Sequence, residues 1–98
     1  MKFFALMSTD VANSGPIRAA NKDLHKIHLD SASGSPAVLY SGPLLDAAGA
    51  EIGSLIILRA ETRDQVEEFA NNDPYTRAGL HAERKISEWL WRRGNPFL

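Results

Sequence analysis

The sequence predicts a single α+β domain of the ferredoxin-like type, in which split β-α-β units build an antiparallel sheet covered by helices. Two observations lead to this prediction. With 98 residues, 44% of them hydrophobic, the chain can bury one modest core, so residues 1–98 are interpreted as one domain. Local patterns then follow in the order strand, helix, strand, strand, helix, and a last segment whose assignment decides the fold class.

The first strand and the first helix are indicated by different patterns. Phe3–Met7 is a short apolar run rich in Phe, which is typical of a buried strand. Residues 8–16 are interpreted as a loop. Behind Pro16, which is tolerated in a first helical turn, apolar residues recur at helical spacing at Ile17, Ala20, Leu24 and Ile27. We therefore expect a helix over residues 16–30 with this apolar stripe toward the core.

The middle of the chain carries two strand signals. Turn-forming residues at 31–36 precede Val38-Leu39-Tyr40, a second strand that we expect to end at Ser41-Gly42-Pro43. Residues 46–53 are small and include two glycines, as in a hairpin connection. Leu55-Ile56-Ile57-Leu58 is the strongest strand signal in the chain and predicts a central third strand.

The second helix and the last strand complete the predicted order. Thr62 and Gln65 match a capping box at the start of a helix, and Val66, Phe69 and Ala70 give it an apolar stripe. Asp73-Pro74 ends it, because the residue before a proline avoids the right-handed helical region. Residues 81–91 fit a helix or a strand, and we predict a strand because it completes the split β-α-β pattern.

Composition and charge exclude several classes of protein. Eleven basic and twelve acidic residues give a net charge of -1, without the basic surface expected of a nucleic-acid-binding protein. The absence of cysteine excludes disulfides and thiolate chemistry. The apolar run at the N-terminus is too short for a signal peptide or a membrane span. We expect a cytoplasmic protein without membrane contact, paired as a homodimer because so small a chain leaves sheet surface uncovered.

Three histidines are the candidates for proton transfer near neutral pH: His25, His28 and His81. His25 and His28 share one face of the predicted helix, and periodicity alone does not favour His25. No spacing fixes a third metal ligand beside them, so we predict no metal and no other cofactor. Asp73 lies at a forced chain reversal, where it either ends a helix or serves a site.

Three segments in order resemble the YCII (YciI-like) family over nearly the whole chain. They are Ser41-Gly42-Pro43-Leu44, Gly53-Ser54-Leu55-Ile56, and Asp73-Pro74-Tyr75 followed by Ala78-Gly79-Leu80. The resemblance implies a ferredoxin-like dimer of the dimeric α/β-barrel type, a group that includes muconolactone isomerase-like enzymes. It also implies an active-site dyad of His25 and Asp73, with Ser41, Gly42 and Tyr75 lining a substrate pocket.

These residues lead to two hypotheses about function. The first is an enzyme in which His25, oriented by Asp73, moves protons during elimination or isomerisation of a small activated compound. The second is a non-catalytic small-molecule-binding or regulatory dimer, because a fold alone does not specify a function.

Overall fold

The computed structural model describes all 98 residues, which form four strands and three helices. The strands are β1 (Lys2–Asp10), β2 (Ala37–Leu45), β3 (Glu51–Ala60) and β4 (His81–Trp89). The helices are α1 (Gly15–Ser31), α2 (Arg63–Asn71) and the single turn α3 (Pro74–Arg77). None of the helices combines the length and apolar character that crossing a bilayer requires.

The strands form one sheet in the order β2-β3-β1-β4, with every neighbouring pair antiparallel. This order confirms the predicted α+β, ferredoxin-like fold. β3 lies between two strands, as its apolar sequence indicated, and residues 81–89 form a strand. β2 is an edge strand, where Pro43 is tolerated because its missing N–H removes no hydrogen bond from an interior ladder.

The hydrophobic core lies between α2 and the middle of the sheet. Val66, Phe69 and Ala70 are buried on one face of α2, as their spacing predicted. They pack with side chains of the three strands nearest to them: Phe4, Leu6, Ile56, Leu58, Ala60 and Ile86. The Thr62 hydroxyl accepts a hydrogen bond from the Gln65 backbone N–H and caps the start of α2.

The predicted apolar stripe of α1 is wrong. Leu24 and Ile27 are 55% and 65% exposed, so these side chains lie on the outer side of the helix. The side chains that turn inward include Arg18, which is buried, and His25 and Leu29, which are partly buried. The helix was predicted correctly, but Leu24 and Ile27 do not mark its inner face, where Arg18 and His25 lie instead.

Three boundaries differ from the predicted ones. β1 extends through Asp10, so the connection to α1 is shorter than expected. β2 continues through Ser41-Gly42-Pro43 to Leu45 instead of ending there, and β3 already begins at Glu51. Apolar runs mark only the strand centres, because polar strand ends are stabilised by backbone pairing that has no sequence signature.

Candidate functional site

A cleft of about 1010 Å³ opens between α1, the end of β1 and the adjacent part of β2 and β3. Its apolar wall includes Leu29 and Ile56, and its polar groups include His25 and Ser41. α1 packs mainly against α3 and not against the sheet, which leaves this space between the helix and the strands. A mostly apolar cleft with a few convergent polar groups is the usual form of a small-molecule site.

His25 and Asp73 meet at the edge of this cleft, although they are 48 residues apart in the sequence. The His25 Nδ1 atom lies 2.8 Å from Asp73 Oδ1 and 2.9 Å from Oδ2. The two side chains are 16% and 5% exposed, so the carboxylate is almost fully withdrawn from water. Because a carboxylate accepts hydrogen bonds, this contact places the imidazole N–H on Nδ1 and the lone pair on Nε2.

The Asp-Pro-Tyr turn holds Asp73 in place. Asp73 is the N-cap of α3, and its Oδ1 accepts a hydrogen bond at 2.9 Å from the Tyr75 backbone N–H. Pro74 occupies the first helical turn, where the absence of an N–H costs nothing. The aspartate therefore does more than end α2: it begins the next helix and directs its carboxylate toward α1.

The Tyr75 ring supports His25 from one side. The two rings are stacked with centroids 4.0 Å apart and planes inclined by 17°. The Arg18 guanidinium carbon lies 5.4 Å from the centroid of the same tyrosine ring. Burial raises the pKa of Tyr75 against the lowering influence of Arg18, so its hydroxyl stays protonated at neutral pH. Tyr75 is buried but still forms part of the cleft lining.

His28 takes no part in the cleft. Its Nε2 atom lies 2.8 Å from the Phe69 carbonyl oxygen, to which it donates, and the two rings stack at 4.3 Å. It therefore joins α1 to α2, and His25 is the histidine of this helix that contacts Asp73.

Ser41 and Gly42 lie on β2 and line the cleft, as does Tyr75. Ser41 is paired in the sheet with Ile56, whose side chain forms part of the apolar wall. Both β2 residues are exposed, and a Cβ added at Gly42 would meet no atom within 4 Å. Gly42 therefore contributes backbone, and no side chain, to the lining of the cleft.

Arg18 is buried in the wall of the cleft and neutralises Asp10. Its Nε and Nη2 atoms donate to the two Asp10 oxygens at 2.7 and 3.0 Å, a bidentate pair. Nη2 also donates to the Gly53 carbonyl oxygen and the Ser54 hydroxyl, at 2.8 and 3.2 Å. Burial alone would lower the Arg18 pKa, but the hydrogen bond and charge of Asp10 raise it, so the guanidinium stays charged.

Comparison with protein families identifies the chain. The model of the YCII-related domain matches residues 1–90. The chain belongs to this family. No curated protein matches it significantly.

Several solved structures share the fold of this YCII-related domain. The 5-chloro-2-hydroxyhydroquinone dehydrochlorinase TftG from Burkholderia phenoliruptrix AC1100, solved with 2,5-dihydroxybenzoquinone, has a TM-score of 0.83 and 30% identity, and the match covers 95% of this chain and 98% of TftG. Atu4242 from Agrobacterium tumefaciens is 11% identical with a TM-score of 0.56, covering 98% of each chain. Rv0793 from Mycobacterium tuberculosis is 10% identical with a TM-score of 0.54, and the match covers 96% of this chain and 98% of Rv0793. The latter two are similar to this chain in fold alone.

Sequence reasoning missed the Arg18–Asp10 pair of this YCII-related domain. The available signal was the position of Arg18 two helical turns before His25, which puts both residues on one face of α1. The apolar residues Leu24 and Ile27 indicated a different face and obscured it.

Proposed function

We propose that this YCII-related domain is a small-molecule enzyme in which His25, oriented by Asp73, transfers protons during elimination or isomerisation. The observation that carries the proposal is the contact of His25 Nδ1 with both carboxylate oxygens of a buried aspartate, at the edge of a cleft. A carboxylate in this position fixes the imidazole tautomer and stabilises the imidazolium that forms when Nε2 takes a proton. His25 is then a general base in one step and a general acid in the next.

The proposed substrate is a small oxygenated ring that carries a leaving group. Support comes from TftG, which is named for dehydrochlorination of such a ring and was solved with a dihydroxybenzoquinone. The cleft fits this class, because its apolar wall suits a flat ring while Ser41, the Gly42 backbone and Tyr75 offer polar contacts to ring oxygens.

The proton transfers for a chlorinated hydroxyhydroquinone can be written in balance. His25 Nε2 takes a proton from one ring hydroxyl, and the imidazolium returns it to the carbon that bears chlorine, which becomes tetrahedral. Loss of a second hydroxyl proton then expels chloride and leaves a hydroxybenzoquinone. The net change is loss of one proton and one chloride, so no oxidant is needed, and each transfer uses the same imidazole.

The direct test is release of chloride from 5-chloro-2-hydroxyhydroquinone by the wild-type protein and two variants. We expect His25→Ala and Asp73→Asn to lower kcat by roughly 100-fold to 10,000-fold. His28→Gln is the matched control, because its amide can still donate to the Phe69 carbonyl and it lies outside the cleft. Binding of the quinone without turnover, unaffected by His25→Ala, would instead support the non-catalytic binding module.

We also propose that the domain acts as a homodimer through the sheet face that its helices leave uncovered. Met7 alternates with the buried Leu6 along β1 and is 46% exposed on the opposite face, where Trp89 of β4 is also exposed. A second copy would remove this apolar surface from water. Light scattering after size exclusion tests this: we expect a dimer for wild type and a monomer for Met7→Lys.

A further inference from the structure

A small chamber lies behind the His25–Asp73 pair and shares His25, Ser54 and Ile56 with the lining of the large cleft. It has a volume of about 10 Å³ and is lined by both members of the pair together with Ser8, Ser54, Thr76 and His81. Ser8 and Ser54 are buried partners in the β1–β3 ladder and form its floor. The proton transfers proposed above use none of these additional residues.

His81 brings an unsatisfied nitrogen to this chamber. It is the first residue of β4 and pairs with Asp10 of β1 in the sheet. Its Nδ1 atom is shielded from solvent and has no protein partner within hydrogen-bond distance. A shielded imidazole nitrogen without a partner is costly, so its environment should supply one.

Burial of His81 favours its neutral form. Burial lowers its pKa more than the carboxylates of Asp73 and Asp10 raise it, and Arg18 and His25 lower it further. A neutral imidazole has one N–H and one lone pair. Beside the Asp73 carboxylate, the N–H is the favourable group to present at Nδ1, because two lone pairs repel each other.

The Asp73 carboxylate can accept a further hydrogen bond. Its Oδ1 accepts from the Tyr75 backbone and from His25, whereas its Oδ2 accepts from His25 alone. A carboxylate this deeply buried is stabilised by further donors. The chamber volume is about the minimum that holds one water molecule, and the two serines, Asp73 and His81 offer that water enough polar partners.

We propose that His81 is a positioning residue for the dyad: its Nδ1–H donates through a single water to Asp73 Oδ2 and holds the carboxylate against His25. This inference rests on the proposed proton transfer by His25, because its consequence for rate depends on it. His81 lies outside the lining of the large cleft and so does not touch substrate. Its loss therefore lowers kcat and leaves KM unchanged.

The first test does not depend on activity. Long-range ¹H–¹⁵N correlation of the imidazoles at about pH 8, where free histidine is neutral, reports which nitrogen carries the proton. We expect Nδ1–H for His81 and a change in its Nδ1 resonance in Asp73→Asn. His28, which donates from Nε2 to a carbonyl, is the internal control for the opposite tautomer. The proposal is overturned if His81 of the wild-type protein carries its proton on Nε2. It is also overturned if the His81 Nδ1 resonance is the same in Asp73→Asn as in the wild type.

The second test compares two substitutions of His81 in the chloride-release assay. His81→Asn keeps an amide donor near the Nδ1 position, whereas His81→Phe keeps a ring and removes the donor. Loss of this water-mediated hydrogen bond to the carboxylate predicts a fall in kcat of about tenfold for His81→Phe, largely restored in His81→Asn, with KM unchanged in both. Equal kcat for His81→Phe and wild type refutes the positioning role. If wild type releases no chloride, the proposed function fails, and the tautomer measurement still decides the link between His81 and Asp73.

Discussion

The two long helices cover the same face of the sheet but differ in the side chains that they present to it. α2 presents Val66, Phe69 and Ala70 to the strands and closes a dry core. α1 presents Arg18 and His25, and an open cleft remains between it and the strands. The apolar residues that could have sealed that space lie on the outside of α1.

The difference shows that the two helices are stabilised on the sheet in different ways. Packing apolar side chains of α2 against the strands removes them from water, which favours folding. The polar inner face of α1 gains little from burial and depends on paired charges and hydrogen bonds instead. His28 marks the boundary, since it belongs to α1 but hydrogen-bonds to a carbonyl of α2.

The largest effect on folding is expected from breaking the buried ion pair on the α1 side. In Arg18→Met the Asp10 carboxylate, whose side chain is 2% exposed, would lose its bidentate partner and remain buried. We expect a loss of about 3–5 kcal/mol in the free energy of unfolding, measured by urea denaturation. Arg18→Lys keeps the positive charge but cannot form the bidentate pair, so its free energy of unfolding should fall less. Equal stability of Arg18→Met and wild type would show that the pair is not needed for folding.

On the α2 side we expect a cavity effect of slightly smaller size. Phe69→Ala removes a buried ring from the core and should cost about 3 kcal/mol by the same measurement. A cost below about 1 kcal/mol would mean that the core on this side collapses around the missing ring and is not closely packed.

Predictability from sequence follows the same division between the two helices. For α2 the cap at Thr62 and the apolar stripe were both readable, because local pattern and tertiary packing agree there. For α1 the sequence predicted the helix but not its inner face, since Leu24 and Ile27 point away from the sheet. The residues of β4 fitted either a helix or a strand, and the order of the preceding elements decided the prediction of a strand.

The site itself was only partly predictable. Residue pattern left the three histidines equivalent, and resemblance to the YCII family singled out His25 and Asp73, which the structure brings into contact. Their catalytic role stays a prediction. The Arg18–Asp10 pair and the chamber at His81 depend on how β1 and β4 meet α1, which no local pattern contains.

A smaller effect is expected from pH. The pKa of His81 is lowered in the folded protein by burial, while in the unfolded chain it returns to about 6.5. The unfolded state therefore binds the proton first, and the stability associated with neutral His81 is present above that value and is lost as pH falls through the lower folded pKa. Between about pH 7.5 and pH 5, unfolding free energy should fall more steeply for wild type than for His81→Asn, which does not titrate. Parallel curves would contradict burial of this imidazole.

The smallest effect is expected on the outer side of α1. Leu24→Ala removes an exposed side chain at a position where alanine favours a helix, so the unfolding free energy should change by less than about 0.5 kcal/mol. A loss comparable to that of Phe69→Ala would show that this face is covered in the native protein.

We expect a small molecule to bind in the space that α1 leaves open, and amide chemical shifts report such binding residue by residue. Titration of the ¹⁵N-labelled protein with 2,5-dihydroxybenzoquinone should perturb resonances of residues around the cleft, among them Arg18, His25, Ser41 and Gly42. Residues of the α2 core should shift little, and Ser41→Trp, which places a large side chain in the cleft, should weaken binding. Saturable shifts confined to another surface, or binding unaffected by Ser41→Trp, would show that the small molecule does not bind in this cleft.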